Sequence, residues 1–483
     1  MERNPHRLQT QLERYAAEGP YPLHMPGHKR RTAPAPGLPA AWDVTEVPGV
    51  DDLHQAECIL ADAMTRTAAL WGAERTWYLV NGSTCGILAA IRAAVIQSGR
   101  NAVISARNCH KSVYHAVELC GLSVRWLTPE TDSAFGVYGS VDPAAVEEAL
   151  AERPEAACVV LTSPTYEGVL SDAAAIADLC HAHGVPLLVD EAHGAHYLPM
   201  AVPYGWQGGA VEAGADLVIQ SAHKTLPSLT QTALLHLNGD RVDPAEVERQ
   251  LDVFETSSPS YPLLASLDGC TGLLAAHGAE WFAAWRARLD RFSAAVSGLK
   301  HLRVLCHGAD TLADHPALFA HDGGKLLVNG AAAGYTGGEL AELLRSRFGL
   351  EPEMACGGSV LAMTSPCDDD DALDRLAAAL LEIDGEARPV RRSPVQTVLP
   401  VPGPAACTIA EAARRPRILA AGEKALGRIS AEYVWAYPPG VPLIAPGEEI
   451  GGAFLTACRA LEAAGTALRH SGGGSGERFA VCT

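Results

Sequence analysis

The chain has 483 residues, with 56 Asp and Glu against 37 Lys and Arg and a formal charge of -19. At roughly 150 residues per domain that length holds about three folded units, and 48% hydrophobic with 19% charged residues is the make-up of an ordinary globular protein, not of a disordered or fibrous one. The acidic excess argues against a general nucleic-acid binder, whose phosphate contacts need clustered Lys and Arg, and favours a small cationic partner.

In chain order, the first clear element is Ala-rich and of helical period. It runs from Thr84 to Ser98, with Ile87, Leu88, Ile91, Ala94 and Val95 on one side and Gly99 as a stop. Short aliphatic runs follow at Ala102 to Ser105, Cys158 to Thr162, Pro186 to Val189, Leu217 to Gln220 and Thr232 to Leu237. Their length and composition suit strands buried on both faces, and their alternation with helical stretches predicts an α/β fold with a mainly parallel sheet. Ligands then gather beyond the carboxyl ends of the strands. Pro389, Pro394, Pro400, Pro402 and Pro404 crowd one polar stretch that reads as a linker. Beyond it, Ile409 to Tyr433 and Ala453 to Leu468 are expected to be helical, separated by the Pro-rich Tyr437 to Pro446. No apolar run approaches the roughly 20 residues that span a bilayer, and the first 30 residues carry charge, Pro and Gly where an export signal is apolar. The expected location is the cytoplasm, without membrane attachment. Thirteen cysteines, scattered from Cys58 to Cys482 with no C-x-x-C pair, read as buried thiols of a reducing compartment. His and Cys do not alternate at zinc spacing, so no metal is expected.

Four segments carry chemistry, each at a strand end. Asn81-Gly82-Ser83-Thr84-Cys85-Gly86 opens the Ala-rich helix, where small residues and hydroxyls offer donors to a phosphate; a capping box looks much the same. Arg107-Asn108-Cys109-His110-Lys111-Ser112 follows a strand, and the His110 imidazole there can stack on a planar ring or serve as an ordinary structural histidine. Leu187 to His193 ends a strand in Asp190, a carboxylate placed to keep a pyridine nitrogen protonated, which makes pyridoxal phosphate an effective electron sink. The alternatives there are a helix cap at Asp190 or a metal held by His193 and His196. Ser221-Ala222-His223-Lys224-Thr225 follows another strand, and a desolvated Lys224 amine there forms a Schiff base with a carbonyl; a lone lysine is otherwise a solvated surface charge. Four strand ends supplying the four parts of one pyridoxal phosphate site outweigh coincidence.

These segments resemble the prokaryotic ornithine/lysine/arginine decarboxylases of the aspartate aminotransferase fold. The resemblance runs through His24 to Lys29 (HMPGHK), Thr45 to His54 (TEVPGVDDLH), Asn81 to Gly86, Arg107 to Val113, Ser163 to Asp172, Val189 to His196 (VDEAHGAH), Ser221 to Gln231, Thr256 to Asp268 (TSSPSYPLLASLD) and Gly427 to Gly447. It implies a large pyridoxal-phosphate domain of fold type I over 61–290 after an N-terminal segment 1–60. A small α/β domain would follow over 291–388, then a linker over 389–405 and a C-terminal α+β domain over 406–483. Lys224 would carry the Schiff base, Asp190 pair with the pyridinium nitrogen, His110 stack on the ring and His193 lie beside it. Ser83, Thr84, Ser221 and His223 match positions that hold the phosphate. Ser257 and Ser258 resemble a segment reaching the phosphate from a neighbouring subunit, which implies a homodimer, or a dimer of dimers, with composite sites. The chain resembles the short form of the family, without the N-terminal wing domain, and departs from it at Ala56 and Cys58, where Pro and Gly are expected.

The resemblance implies decarboxylation of arginine, lysine or ornithine, with elimination or cyclisation of a modified basic amino acid as the other reaction the same cofactor supports. A regulator that retains the fold without activity is disfavoured by the intact Lys224 and Asp190. A buried distal cation needs a carboxylate partner. Asp52, Glu432 and Glu448 are candidates, each alternatively a solvated surface acid. The group that reprotonates the product is open between His223, Lys224 and a cysteine.

Overall fold

A computed structural model describes residues 6–18, 40–387, 403–436, 441–463 and 467–483. His24 to Lys29, the prolines from 389 to 402 and residues 437–440 lie outside the described residues. The rest falls into two units, the first within Met1–Gly99 and Gly184–Ala284 and the second within Arg100–His183 and Trp285–Thr483.

Seven strands carry the sheet segments: β1 (Arg75–Leu79), β2 (Ala102–Ala106), β3 (Ser123–Leu127), β4 (Ala156–Thr162), β5 (Leu187–Asp190), β6 (Leu217–Gln220) and β7 (Ala233–Leu237). The helices used below are α1 (Leu8–Glu18), α2 (Ile59–Trp71), α3 (Gly82–Ser98), α4 (Lys111–Cys120) and α5 (Pro244–Phe254). In the first unit β5 pairs with β6 in parallel, while β6 with β7 and β7 with β1 are antiparallel. In the second unit β2 lies between β3 and β4, parallel to both. The five aliphatic runs of the sequence become β2, β4, β5, β6 and β7, all fully buried apart from Thr162 at the end of β4.

Helix α3 covers one face of the first unit's strands. Its first turn comes close because residue 86 is glycine: a Cβ there would stand 2.7 Å from Leu79 Cδ1 and 3.2 Å from Ile219 Cγ2. The helix ends at Gly99, whose φ of 65° suits a left-handed cap. On the opposite face Thr76, Gln220 and His236 are buried, and His236 stacks on Trp71 of α2 at 5.6 Å between centroids.

The second unit adds a four-stranded antiparallel sheet (Arg303–Val304, Lys325–Asn329, Ser359–Met363 and Met354–Cys356) and, at the carboxyl end of the chain, two small sheets with the helix Gly452–Ala463. The helix expected over Ile409 to Tyr433 is only Ile409–Arg414. Pro416 cannot continue it, and Arg417–Ala421 instead pairs antiparallel with Arg478–Cys482. The second expected helix ends at Ala463, and Leu468 lies in a strand against Ala436. All thirteen cysteines are free, and Cys58 and Cys367 are exposed where buried thiols were expected.

Candidate active site

The register of the first unit builds the site. Val189 lies opposite Val218 and Asp190 opposite Ile219, so β5 and β6 finish level and Asp190 and Ser221 emerge from one edge. Because β7 and β1 alternate in direction, with Leu234 opposite Gln220 and Leu79 opposite Ala233, the amino end of β7 and the carboxyl end of β1 reach the same edge. There the Gly82 N–H donates to the Gln231 carbonyl at 2.9 Å, with Gly82 at a φ of 73° that favours glycine. Segments 81–84, 190–193 and 221–224 are thus brought together by pairing alone.

Lys224 sits in the helical turn Ala222–Thr225 and is half-buried, which sets aside the solvated surface charge. Its Nζ lies 3.0 Å from His193 Nε2. Asp190 is 3% exposed, and its carboxylate accepts from the Ala192 N–H at 3.2 Å. Burial raises its pKa and the Lys224 amine opposes that rise. A turn, not a helix, follows Asp190, so the helix-cap alternative is not realised. His223 Nδ1 is 2.8 Å from the Thr232 carbonyl; burial lowers its pKa, the Thr232 bond raises it and Lys224 lowers it further. His196 is fully buried, tilted against Tyr197 and edge-on to Trp206.

A phosphate finds matching groups on this edge. Asn81 caps α3 without a side-chain hydrogen bond, so the first-turn N–H groups are not consumed by a capping box. Ser221 is fully buried and its Oγ has no hydrogen-bond partner among the described residues. A buried hydroxyl left unpaired is costly unless a ligand completes it, and it fits the phosphate position expected for it. Ser83 is half-buried and Thr84 exposed at the start of the same helix, while Ser257 and Ser258 are exposed.

The remaining candidates sit each within its own unit. His110 belongs to the second unit, where it caps α4: its Nδ1 accepts from the Ser112 N–H at 3.3 Å and lies 2.8 Å from Ser112 Oγ. Glu432 and Glu448 are not solvated surface acids, being 0% and 3% exposed. Glu432 accepts from the N–H groups of Gly472, Gly474 and Ala480 and faces His470 Nδ1 at 3.1 Å. Glu448 pairs with Arg107 at 3.1 Å and accepts from the Ala445 N–H at 2.8 Å. Asp52, in the first unit, is half-buried and accepts from the His54 N–H at 2.9 Å.

Two acids were missed. Glu191 accepts from the Ala210 N–H at 2.8 Å and from Gln220 Nε2 at 2.7 Å, and burial pushes its pKa to about 8. Glu255 accepts from the Val80 N–H at 2.6 Å, and burial pushes its pKa to about 7. Glu191 adjoins Asp190 in the sequence; nothing local marks Glu255.

The fold is that of the constitutive lysine decarboxylase of Escherichia coli, whose solved structure superposes with a TM-score of 0.77 at 21% identity, covering 99% of this chain and 82% of the other. It is the aspartate aminotransferase-like class, fold type I of the pyridoxal-phosphate enzymes. Within it the chain belongs to the Orn/Lys/Arg decarboxylase family, matching its major domain over residues 7–283 and its C-terminal domain over 405–473, and it is an amino-acid decarboxylase. An arginine decarboxylase of Bacillus subtilis is 31% identical over 457 residues, 92% of this chain and 91% of that protein. The constitutive lysine decarboxylase of Escherichia coli is 31% identical over 219 residues, 43% of this chain and 30% of that protein. The family and its fold neighbours depend on pyridoxal phosphate.

Proposed function

We propose that this chain decarboxylates a basic L-amino acid, arginine foremost, with pyridoxal 5'-phosphate held at the strand edge of the first unit. The observation that carries this reading is the convergence there of the Lys224 amine, the buried Asp190 carboxylate and the unpartnered Ser221 hydroxyl. Arginine is favoured because a relative of that activity aligns over more than nine-tenths of both chains, whereas the lysine decarboxylase aligns over 30% of its own length.

Lys224 would hold the cofactor and Ser221 with His223, Ser83 and Thr84 its phosphate; stacking on the ring is the part the family resemblance implies for His110. Once bound, the cofactor supplies an electron sink for the pair left on the α-carbon as carbon dioxide departs. The protein's own part is positional and electrostatic. Buried Asp190 offers a negative charge to a protonated ring nitrogen, an arrangement that is strong because water is excluded. Lys224 Nζ and His193 Nε2, at 3.0 Å, are within reach to pass a proton. Of the three acids considered for the distal cation, Asp52 is the one not enclosed by second-unit donors, and we assign it that role. Two subunits would share each site through Ser257 and Ser258, and the enzyme would work in the cytoplasm. Among the described residues no helix is long and apolar enough to cross a membrane. A division at 61–290, 291–388 and 406–483 is part of this reading, beside family matches over 7–283 and 405–473.

The test is direct. Purified protein supplied with the cofactor should absorb in the visible and release carbon dioxide and the matching amine from arginine faster than from lysine or ornithine. Turnover of a different amino acid without gas would reject decarboxylation, and colourless protein would reject the cofactor.

A further inference from the structure

The turn that leads into α3 is held from below by a residue the reaction does not use. Glu255, at the carboxyl end of α5, is 7% exposed and accepts from the Val80 N–H at 2.6 Å. The next residue is tied to the same turn: the Thr256 N–H donates to Asn81 Oδ1 at 3.4 Å, and the Thr256 carbonyl faces His54 Nε2 at 2.9 Å. Val80 and Asn81 immediately precede Gly82, Ser83 and Thr84, so two bonds from the 255–256 dipeptide set where the first N–H groups of α3 point. Asn81 itself makes no side-chain cap to α3. We propose that Glu255 is a positioning residue for the cofactor phosphate: it shapes the turn before α3 and, as an acid bonded to that turn, weakens phosphate binding when it carries charge. This rests on the cofactor reading given above.

Among the described residues, several groups act on the charge of Glu255. His54 from the segment before α2 favours its ionised form, and the backbone N–H groups of Val80 and Asn81 do so as well. Asp252 on α5 lies 3.9 Å from His54 Nδ1. Cys85 in the first turn of α3 is a thiol whose pKa burial pushes up, with Glu255 adding to the rise, so it stays neutral. Burial brings Glu255 to about 7 against those opposing terms. Below that pH the neutral carboxyl still accepts the Val80 N–H. Above it the same group puts a negative charge under a site for a phosphate dianion. Because the linkage is reciprocal, a bound phosphate that raises the Glu255 pKa by about one unit makes affinity about tenfold weaker at pH 8.5 than at pH 6.

Pyridoxamine 5'-phosphate is the probe, since it has no aldehyde to react with Lys224 and reports the non-covalent contacts of the cofactor, those of its phosphate among them. Its Kd is measured by calorimetry from pH 6 to 8.5 for the wild type, Glu255→Gln and Glu255→Ala. The titration of the phosphate itself is common to all three and cancels. Glu255→Gln keeps an acceptor for the Val80 N–H and should bind within twofold of the wild type at pH 6, with a pH-dependent change at least threefold smaller. Glu255→Ala should bind at least tenfold more weakly than the wild type at pH 6, with the difference narrowing towards pH 8.5. A change in Glu255→Gln that is less than threefold smaller overturns the role. If Glu255→Ala does not fold, the Glu255→Gln profile decides alone. Wild-type protein that binds neither this probe nor pyridoxal 5'-phosphate overturns the cofactor reading together with the inference, whereas tight binding with equal profiles overturns only the part given to Glu255.

Discussion

Two regions bury acids in opposite ways. At the strand edge of the first unit Asp190 accepts from the Ala192 N–H, and burial, opposed by Lys224, raises its pKa. In the C-terminal part of the second unit Glu432 is as deeply buried, yet burial there is outweighed by His470 and by the Ala480 and Gly472 N–H groups, and its pKa falls. One carboxylate is left incomplete beside an amine and an unpaired hydroxyl; the other is saturated by its own chain. Incomplete polar groups in a buried setting mark where a ligand belongs, and complete ones mark structure.

That contrast breaks most sharply at Lys224. Lys224→Ala should abolish the visible absorbance of the cofactor-loaded protein and lower kcat by about four orders of magnitude or more, since no other group on that edge can hold the cofactor covalently. Residual turnover within tenfold of the wild type would put the chemistry elsewhere. Asp190→Asn removes the charge while keeping the shape. A fall of about a thousandfold in kcat is expected, with a melting temperature equal to or above the wild type's because a buried charge is removed. Loss of stability with activity intact would make Asp190 structural and erase the difference from Glu432.

The second unit is predicted to answer in the other currency. Glu448→Gln leaves the Arg107 guanidinium buried against Tyr114, Trp126 and the carbonyls of Pro442 and Leu443 without its counter-charge. About 3 kcal/mol of stability should be lost in denaturant titration, with the Kd of the cofactor unchanged. Glu432 adds a pH signature. Its folded pKa lies below the ordinary value, so its contribution is fully present above the unfolded pKa and is lost as pH falls through the folded one. Glu432→Gln should therefore flatten the acid limb of the stability profile, measured as midpoint against pH below about 5, and leave the neutral region's slope alone. A variant whose acid limb matches the wild type would show that His470 and the loop N–H groups do not hold that carboxylate ionised.

How much of this was readable in the sequence follows from what each element pairs with. β6 appears over Leu217 to Gln220 as the aliphatic run implies, because a strand buried on both faces writes its environment into every residue. β1 and β3 were not recognised: Arg75–Leu79 and Ser123–Leu127 mix charged and polar residues with apolar ones. The C-terminal strands depend on partners tens of residues away, as Arg417 with Cys482 shows, so local period misread them as helix. In the site, Lys224 and Asp190 were legible because each directly follows an apolar run. Glu255 was not, since its partner is a backbone N–H of a segment distant in sequence and leaves no trace in side-chain pattern. Glu432 was visible as an acid but not as a saturated one, and Glu448 not as the partner of Arg107, for the same reason.

The smallest effect sharpens the comparison most. Of the three hydroxyls assigned to the phosphate, on Ser83, Thr84 and Ser221, that of Ser221 is fully buried with no partner among the described residues. Were it merely a packed side chain, Ser221→Ala would relieve an unpaired polar group and raise stability by about 1 kcal/mol, with cofactor affinity unchanged. If it completes a phosphate site, the same variant gains that stability only in the cofactor-free protein, and the Kd of pyridoxal 5'-phosphate rises about tenfold, near 1.4 kcal/mol. The melting temperature is then read with and without saturating cofactor. Ser221→Ala should melt above the wild type when free and lose that advantage when loaded, because ligand stabilisation scales with affinity. A substitution that moves both states equally would assign Ser221 to the core and leave the strand edge no more incomplete than the acids of the second unit.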